Sequence, residues 1–333
     1  MNSFGTLFKV QILGESHGAC VGIVVDGCPA GLTLQQSDFV TDMERRKGGK
    51  QKGTTPRQED DMPIFKSGLF NDTTTGAPIT MLFENNNTRS GDYEKQRSVP
   101  RPGHSDFTAH QKFGGFEDFR GGGHFSGRLT AALVGAGVIA KKLLKDIEVV
   151  SHIVSIGGES DVEKGIQKAI DQKDSVGGIV ECVVKGLPIG LGEHFFDSVE
   201  SLISHAVFAI PAIRGIEFGT GFAAASMFGV EHNDPIVDAS GKTKTNHAGG
   251  VVGGYTNGND LVFRIAVKPT SSTPKEQTTW NWETNEQEVF SVKGRHDLCI
   301  ALRVPVVLEA VTALVLADLM LLEQRIPRIL KQQ

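Results

Sequence analysis

Arg101-Pro102-Gly103-His104-Ser105-Asp106 and, a little further on, Arg120-Gly121-Gly122-Gly123-His124-Phe125-Ser126-Gly127-Arg128 run directly into an apolar stretch, 126–146, whose periodicity predicts a helix. That helix carries Ala131, Ala132, Gly135, Ala136, Gly137 and Ala140, and side chains this small let a second helix or a sheet approach closely. Core packing accounts for it beyond its first turn. The segment ahead of it is different. Glycines allow the backbone to approach a phosphate, the amides at a helix start are unpaired donors, and arginines grip anionic oxygens by two prongs. The combination suits a polyanionic small molecule.

Three other segments repeat that chemistry. Gly14-Glu15-Ser16-His17-Gly18 lies between the apolar runs 8–13 and 21–25, and reads as a polar turn between two strands. Lys268-Pro269-Thr270-Ser271-Ser272 follows the alternating run 261–267, and places hydroxyls and an ammonium at the end of a strand. Lys293-Gly294-Arg295-His296-Asp297 stands just before the last long helix. Clusters so far apart in the chain make sense if folding brings them together.

Helices are expected at 34–47, 126–146, 197–210 and 304–326, with Asp197 and Glu200 at capping-box spacing. Strands are expected at 8–13, 21–25, 79–83, 149–156, 179–184, 250–255 and 261–267. The segments 47–61 and 84–103 read as mobile loops, the first with five cations between Arg45 and Lys52, the second with the polar run Asn85-Asn86-Asn87. There is no internal repeat and no linker-like tract, so residues 1–333 are taken as one domain.

A chain of 333 residues with 39% hydrophobic content can bury a large core. Its formal charge of −5 argues against nucleic acid as a general partner, so an anion site must be a local basic pocket. Cys20, Cys28, Cys182 and Cys299 form no C-x-x-C pair and read as reduced, mostly buried thiols. The start of the chain lacks the pattern of a signal peptide, and no apolar run approaches the ~20 residues of a membrane span. A cytoplasmic enzyme without membrane contact is the expectation. Two nucleotide motifs fail on spacing: Ser126 stands where a dinucleotide-binding turn needs its third glycine, and Ile236 where a P-loop ending in Gly241-Lys242-Thr243 needs its first.

These motifs together carry a resemblance. The GESHG turn at Gly14, Asp26-Gly27-Cys28-Pro29, the Arg45-Arg46 pair, the Arg101 to Asp106 string, the Gly121 to Arg128 turn, Asn246-His247-Ala248-Gly249-Gly250, Lys268 to Ser272, and Gly294 to Asp297 occur in the order found in chorismate synthases. The chain resembles that family over nearly its whole length. The resemblance implies an α+β class fold, a β-α-β sandwich of antiparallel sheets around helices, assembled as a homotetramer. It implies a lyase that converts 5-enolpyruvylshikimate 3-phosphate to chorismate by 1,4-elimination, the last step of the shikimate pathway. Reduced FMN (FMNH2) would be required with no net redox change. Whether NADPH also binds is left open. With no segment resembling a flavin reductase, the monofunctional type is implied. No metal site is expected.

By the same resemblance His17 would protonate the departing phosphate, His104 would protonate the reduced flavin, and Asp297 would help flavin N5 take the C6 proton. Arg46, Lys52, Arg101, Arg120, Arg128 and Arg295 would bind the substrate, which bears one phosphate and two carboxylates. Flavin contacts would fall at His124, Phe125, Ser126, Pro211, Ala212, Gly253, Lys268, Pro269, Thr270, Ser271, Ser272 and Arg295. Lys52 stands where many members have Arg, His124-Phe125 where many have Arg and a small residue, and Pro211 where many have Asn. His110, His152, His194, His205 and His232 read as structural or surface residues.

Overall fold

The structure, a computed structural model, describes residues 2–49, 52–55, 59–88, 97–292 and 296–331. The first part of the chain forms β1 (Ser3–Phe4), β2 (Lys9–Gly14), β3 (Cys20–Asp26), helix α1 (Ser37–Arg46), β4 (Ile64–Ser67), a short ribbon of β5 (Leu69–Phe70) and β6 (Thr73–Thr74), and β7 (Ile79–Glu84). Helices α2 (Asp106–Phe113) and α3 (Thr130–Leu143) follow. Then come β8 (Glu148–Ile156), α4 (Val162–Gln172), β9 (Gly178–Lys185), α5 (Val199–Val207), β10 (Ile213–Phe218) and the single turn α6 (Gly229–His232). The ribbon β11 (Val251–Val252) and β12 (Tyr255–Thr256), strand β13 (Leu261–Val267), the ribbon β14 (Gln277–Asn281) and β15 (Glu286–Phe290), and helix α7 (Val304–Leu322) complete the fold.

Two antiparallel sheets enclose two helices. One sheet has the order β1-β2-β3-β7-β4, the other β10-β13-β9-β8. Burial alternates along the strands, Val21, Ile23 and Val25 in β3, Ile79, Met81 and Phe83 in β7, and Leu261, Phe263, Ile265 and Val267 in β13. Period two places one face of each sheet against the helices. Helix α3 packs on β2, β3 and β7, helix α7 packs on β8 and β9, and the two helices pack on each other. The resulting order is sheet, helix, helix, sheet, the α+β sandwich expected from the sequence.

Small side chains on α3 set its spacing on both sides. A Cβ at Gly135 would stand 2.8 Å from the Phe83 ring of the first sheet. One at Gly137, on the opposite face, would stand 2.3 Å from Ala310 Cβ of α7. Both glycines are therefore needed for close packing.

One expectation needs correction: the span Ile300–Leu322 is 23 residues with mean hydropathy 2.1, long and apolar enough to cross a membrane. It is apolar all round because it is packed on all sides, 83% buried within the protein. Its two carboxylates are satisfied internally. Glu309 accepts two hydrogen bonds from Arg45, one from Lys141 Nζ and one from the Ser151 amide. Asp318 accepts from the amides of Thr6, Leu7 and Phe8, and so ties the β1–β2 turn to the end of α7.

Other differences are local. The strand expected at 250–255 is instead the ribbon β11–β12, reversed at Gly253 and Gly254, whose φ values of 66° and 95° break an extended run. Helix α5 is capped by Ser198, whose hydroxyl accepts from the Ser201 amide, and not by Asp197. Strand β10 was not expected, because Ile213–Phe218 (IRGIEF) lacks clean alternation. Of the two segments expected to be mobile, 50–51, 56–58 and 89–96 lie outside the described residues.

Candidate active site

A cavity of about 670 Å³ opens at one end of the first sheet. The β2–β3 turn brings His17, the end of α1 brings Arg46, and the strings ahead of α2 and α3 bring Arg101, His104, His124, Phe125, Ser126 and Arg128. The stretch ahead of α7 contributes Asp297, the loop after α5 Pro211 and Ala212, and the loop after β13 Lys268, Thr270, Ser271 and Ser272. Among the described residues seven Lys or Arg side chains and three Asp or Glu line it, so a chain of net negative charge holds a positive hollow. The first turns of α3 and α7 also face it, adding the positive ends of their dipoles.

Four predicted site residues do not line this cavity. Lys52 donates to Gln167 Oε1 at 2.7 Å on the exposed surface. Arg120 makes a two-pronged pair with Asp118, both contacts 2.8 Å. Pro269 is exposed beside the lining residues Lys268 and Thr270, and Gly253 is in the β11–β12 ribbon, where its carbonyl accepts from His194. Arg295 lies outside the described residues.

The glycine turn separates the two histidines. Gly121, Gly122 and Gly123 all have positive φ, 61°, 80° and 52°. A Cβ at Gly123 would meet the Asp118 carbonyl oxygen at 1.9 Å, which no side chain survives. Gly121 lies against the His17 ring and Gly122 against the His104 ring, so the turn is the floor between them. Ser16 locks it in place, its amide donating to the Gly123 carbonyl at 3.0 Å. His124 Nδ1 donates to the Gly14 carbonyl at 2.8 Å, tying the same turn to the end of β2.

Beside it lies a charge cluster, 97% or more out of solvent at its centre. Arg46 and Arg128 both pair with Asp61, a residue the sequence analysis did not single out. Burial works to raise the Asp61 carboxyl, but the two guanidinium groups outweigh it and hold it below its ordinary value. Burial also pushes the Arg46 guanidinium down to about 10, against the pull of Asp61 and with help from Arg303 and Arg128. Two cations on one anion leave net positive charge, and Arg46 Nε is buried without a partner. Asn85 extends the cluster: its amide donates to the carbonyls of Glu15 and Gly18 while its Oδ1 accepts from Arg128 Nε. Neighbouring Arg45 points the other way, to Glu309.

Arg101 is equally committed. It grips Asp106 through Nε (2.7 Å) and Nη2 (2.8 Å), and donates through Nη1 to Ser272 Oγ at 3.1 Å. Asp106 in turn lies 2.5 Å from His104 Nδ1. Burial lowers His104 below the ordinary histidine value, Asp106 opposes that, and Arg101 adds to the fall. Asp297 is fixed from two sides, by the Thr55 amide at 2.9 Å and Arg303 Nη1 at 2.9 Å. Arg303 also donates to the Arg46 carbonyl, so one residue the sequence did not flag links two that it did.

Away from the charges, the wall is apolar: Val10, Ile12, Leu133, Ile210, Val311 and Leu314. Lys268 Nζ donates to Ser271 Oγ at 2.7 Å, and Thr270 Oγ1 is buried with no hydrogen-bond partner. The hollow can therefore take a flat apolar ring on one side and several anionic oxygens on the other. Two imidazoles and a carboxylate stand ready to move protons.

Comparisons with known proteins place the chain in a family. Residues 8–321 match the chorismate synthase family. The chain is 72% identical over 332 residues to chorismate synthase of Chitinophaga pinensis, covering 99% of this chain and 100% of that one. It is 45% identical over 362 residues to the chorismate synthase of Dehalococcoides mccartyi (99% and 100% covered). The same identity holds over 359 residues with that of Archaeoglobus fulgidus (98% and 99%). A chorismate synthase crystal structure superposes with TM-score 0.72 at 25% identity, covering 96% of this chain and 93% of that one. On sequence and fold alike, the chain belongs to the chorismate synthase family.

Proposed function

We propose that the protein catalyses the anti-1,4-elimination of phosphate from 5-enolpyruvylshikimate 3-phosphate to give chorismate, the last step of the shikimate pathway, with reduced FMN bound and no net redox change. The observation that carries this reading is the meeting of His17, His104 and Asp297 at one cationic cavity in a chain of this family.

The residues fit both ligands. Arg46, Arg128 and Arg303 bring positive charge to the phosphate and two carboxylates of the substrate, Arg128 as charge alone because its Nε, Nη1 and Nη2 donate to Asn85, Asp61 and the Glu84 carbonyl. Arg101, held by Asp106 and Ser272, contributes charge more than free donors. His17 gives a proton to the departing phosphate oxygen. His104 would pass a proton to the reduced flavin, and Asp297 would help the flavin take the proton lost from the substrate ring. The apolar wall suits a flavin ring. The buried, unpartnered Thr270 hydroxyl with Lys268 and Ser271 suits its polar tail, with His124, Phe125, Ser126, Pro211 and Ala212 completing that side. Bound reduced FMN supplies electron density that helps phosphate depart, and the protein orients it.

The same proposal includes the monofunctional type, which takes up flavin reduced elsewhere, and leaves NADPH as a candidate second nucleotide. A homotetramer belongs to it as well: Phe195, Phe196, Phe222, Phe228 and Val230 are all at least 79% exposed in the single chain. Four unpaired cysteines accord with a cytoplasmic setting. Anaerobic incubation with the substrate and photoreduced FMN tests the reading. Stoichiometric phosphate and chorismate are expected, and flavin binding without phosphate release would reduce the protein to a flavin binder.

A further inference from the structure

His104 is held by a carboxylate that is itself held. Asp106 Oδ1 lies 2.5 Å from His104 Nδ1 and 2.8 Å from Arg101 Nη2, while its Oδ2 accepts from Arg101 Nε at 2.7 Å and from the Arg101 amide at 3.1 Å. His104 Nδ1 and Arg101 Nη2 are 3.1 Å apart, which fits two donors sharing one acceptor oxygen. The alternative tautomer would aim the Nδ1 lone pair at an ionised carboxylate. Arg101 keeps Asp106 ionised, its carboxyl held well below the usual range against the effect of burial. In the neutral ring the Nδ1–H tautomer follows, leaving Nε2, beside Gly122 of the glycine turn, as the atom that takes up and releases a proton, and His104 lines the cavity.

We propose that Asp106 is a positioning residue for His104: with Arg101 as its anchor, it fixes the tautomer and ring orientation so that Nε2 is the atom that exchanges protons in the cavity. Arg101 then serves mainly through Asp106, since three of its donor positions are spent on Asp106 and Ser272. Among the described residues, the charged groups acting on His104 are Asp106 and Arg101 beside it and Lys268 of the cavity lining, while His17 packs on the neighbouring glycine of the turn, Gly121. Among the described residues, only Asp106 touches its Nδ1 with negative charge. A carboxylate behind a histidine raises the basicity of the far nitrogen and sets which nitrogen carries the proton.

The inference rests on the proposed activity for its kinetic half alone. Neutron diffraction from deuterium-exchanged wild-type crystals should show deuterium on His104 Nδ1. Deuterium on Nε2 with Nδ1 bare would overturn the proposal whether or not the protein makes chorismate. Asp106→Asn should lower kcat about 10- to 100-fold, as loss of an orienting partner does, while KM changes less than about threefold. The His104 limb of its pH–rate profile should move to lower pH, and Asp106→Glu should recover part of the loss. Adding Asp106→Asn to His104→Ala should cost little more, because both remove one device. Wild-type kcat and an unmoved pH profile in Asp106→Asn would contradict it. Should that variant fail to fold, the wild-type deuterium position still decides.

Discussion

His17 rests on Gly121: its Nε2 stands 2.5 Å from the point a Cβ on that glycine would occupy. No other residue leaves room for the ring. Gly121→Ala adds strain at φ +61° and pushes the imidazole aside. Since a displacement of about 1 Å can cost about 100-fold, kcat should fall on that order, with folding retained. Steady-state kinetics beside a circular dichroism melt checks this, and unchanged kcat would remove His17 from the chemistry.

Asp61 bridges two buried arginines, one on each carboxylate oxygen. Asp61→Asn leaves both without a counterion, and breaking a buried pair this way costs about 3–5 kcal/mol. Urea denaturation measures it, and a loss under about 1 kcal/mol would contradict the cluster. Because the folded carboxyl is held low, its stabilisation is complete above the unfolded value near 3.8 and is lost as pH falls through the lower folded value. The wild-type protein should lose this contribution only in strong acid.

His104 titrates in the opposite chemical sense but with the same slope. Its folded value is depressed, so between that value and about 6.5 the unfolded chain binds more protons. Stability should be level above about pH 6.5 and should fall as pH drops below it. Melting temperatures of the wild type and His104→Gln, followed from about pH 7.5 to about pH 5, test this. The wild type should fall more steeply. Parallel curves would mean the imidazole is not depressed.

The cysteines separate by depth. Burial pushes the thiols of Cys28 and Cys182 up to about 12 and that of Cys299 up to about 11, while Cys20 alone is partly exposed. A thiol reagent near neutral pH should modify one thiol quickly in the native protein and four after denaturation. Fast reaction of two or more native thiols would contradict the burial of Cys28, Cys182 and Cys299.

Much of this was legible in the chain because it is local. Alternation in β3, β7 and β13 and the small-residue face of α3 announce the layers directly. The GESHG turn, the glycine turn and Asp297 announce the site, since each needs its residue type where it stands. What was missed depends on long-range pairing. Asp61 and Arg303 carry no pattern of their own and acquire meaning only when α1, α3 and α7 bring Arg46, Arg128 and Asp297 to them. The pairing of Arg120 with Asp118 was not anticipated either, because an acid two residues away looks incidental in sequence. The membrane-like span 300–322 shows the remaining limit, because composition does not distinguish burial in lipid from burial between two sheets.

The most direct test of the shared cavity is a crystal structure with oxidised FMN and 5-enolpyruvylshikimate 3-phosphate. The account predicts the flavin ring along the Leu133 and Val311 wall, with the substrate phosphate within hydrogen-bonding reach of His17 and its ring between His104 and Asp297. Either ligand bound elsewhere on the molecule, with this hollow left to solvent, would contradict it.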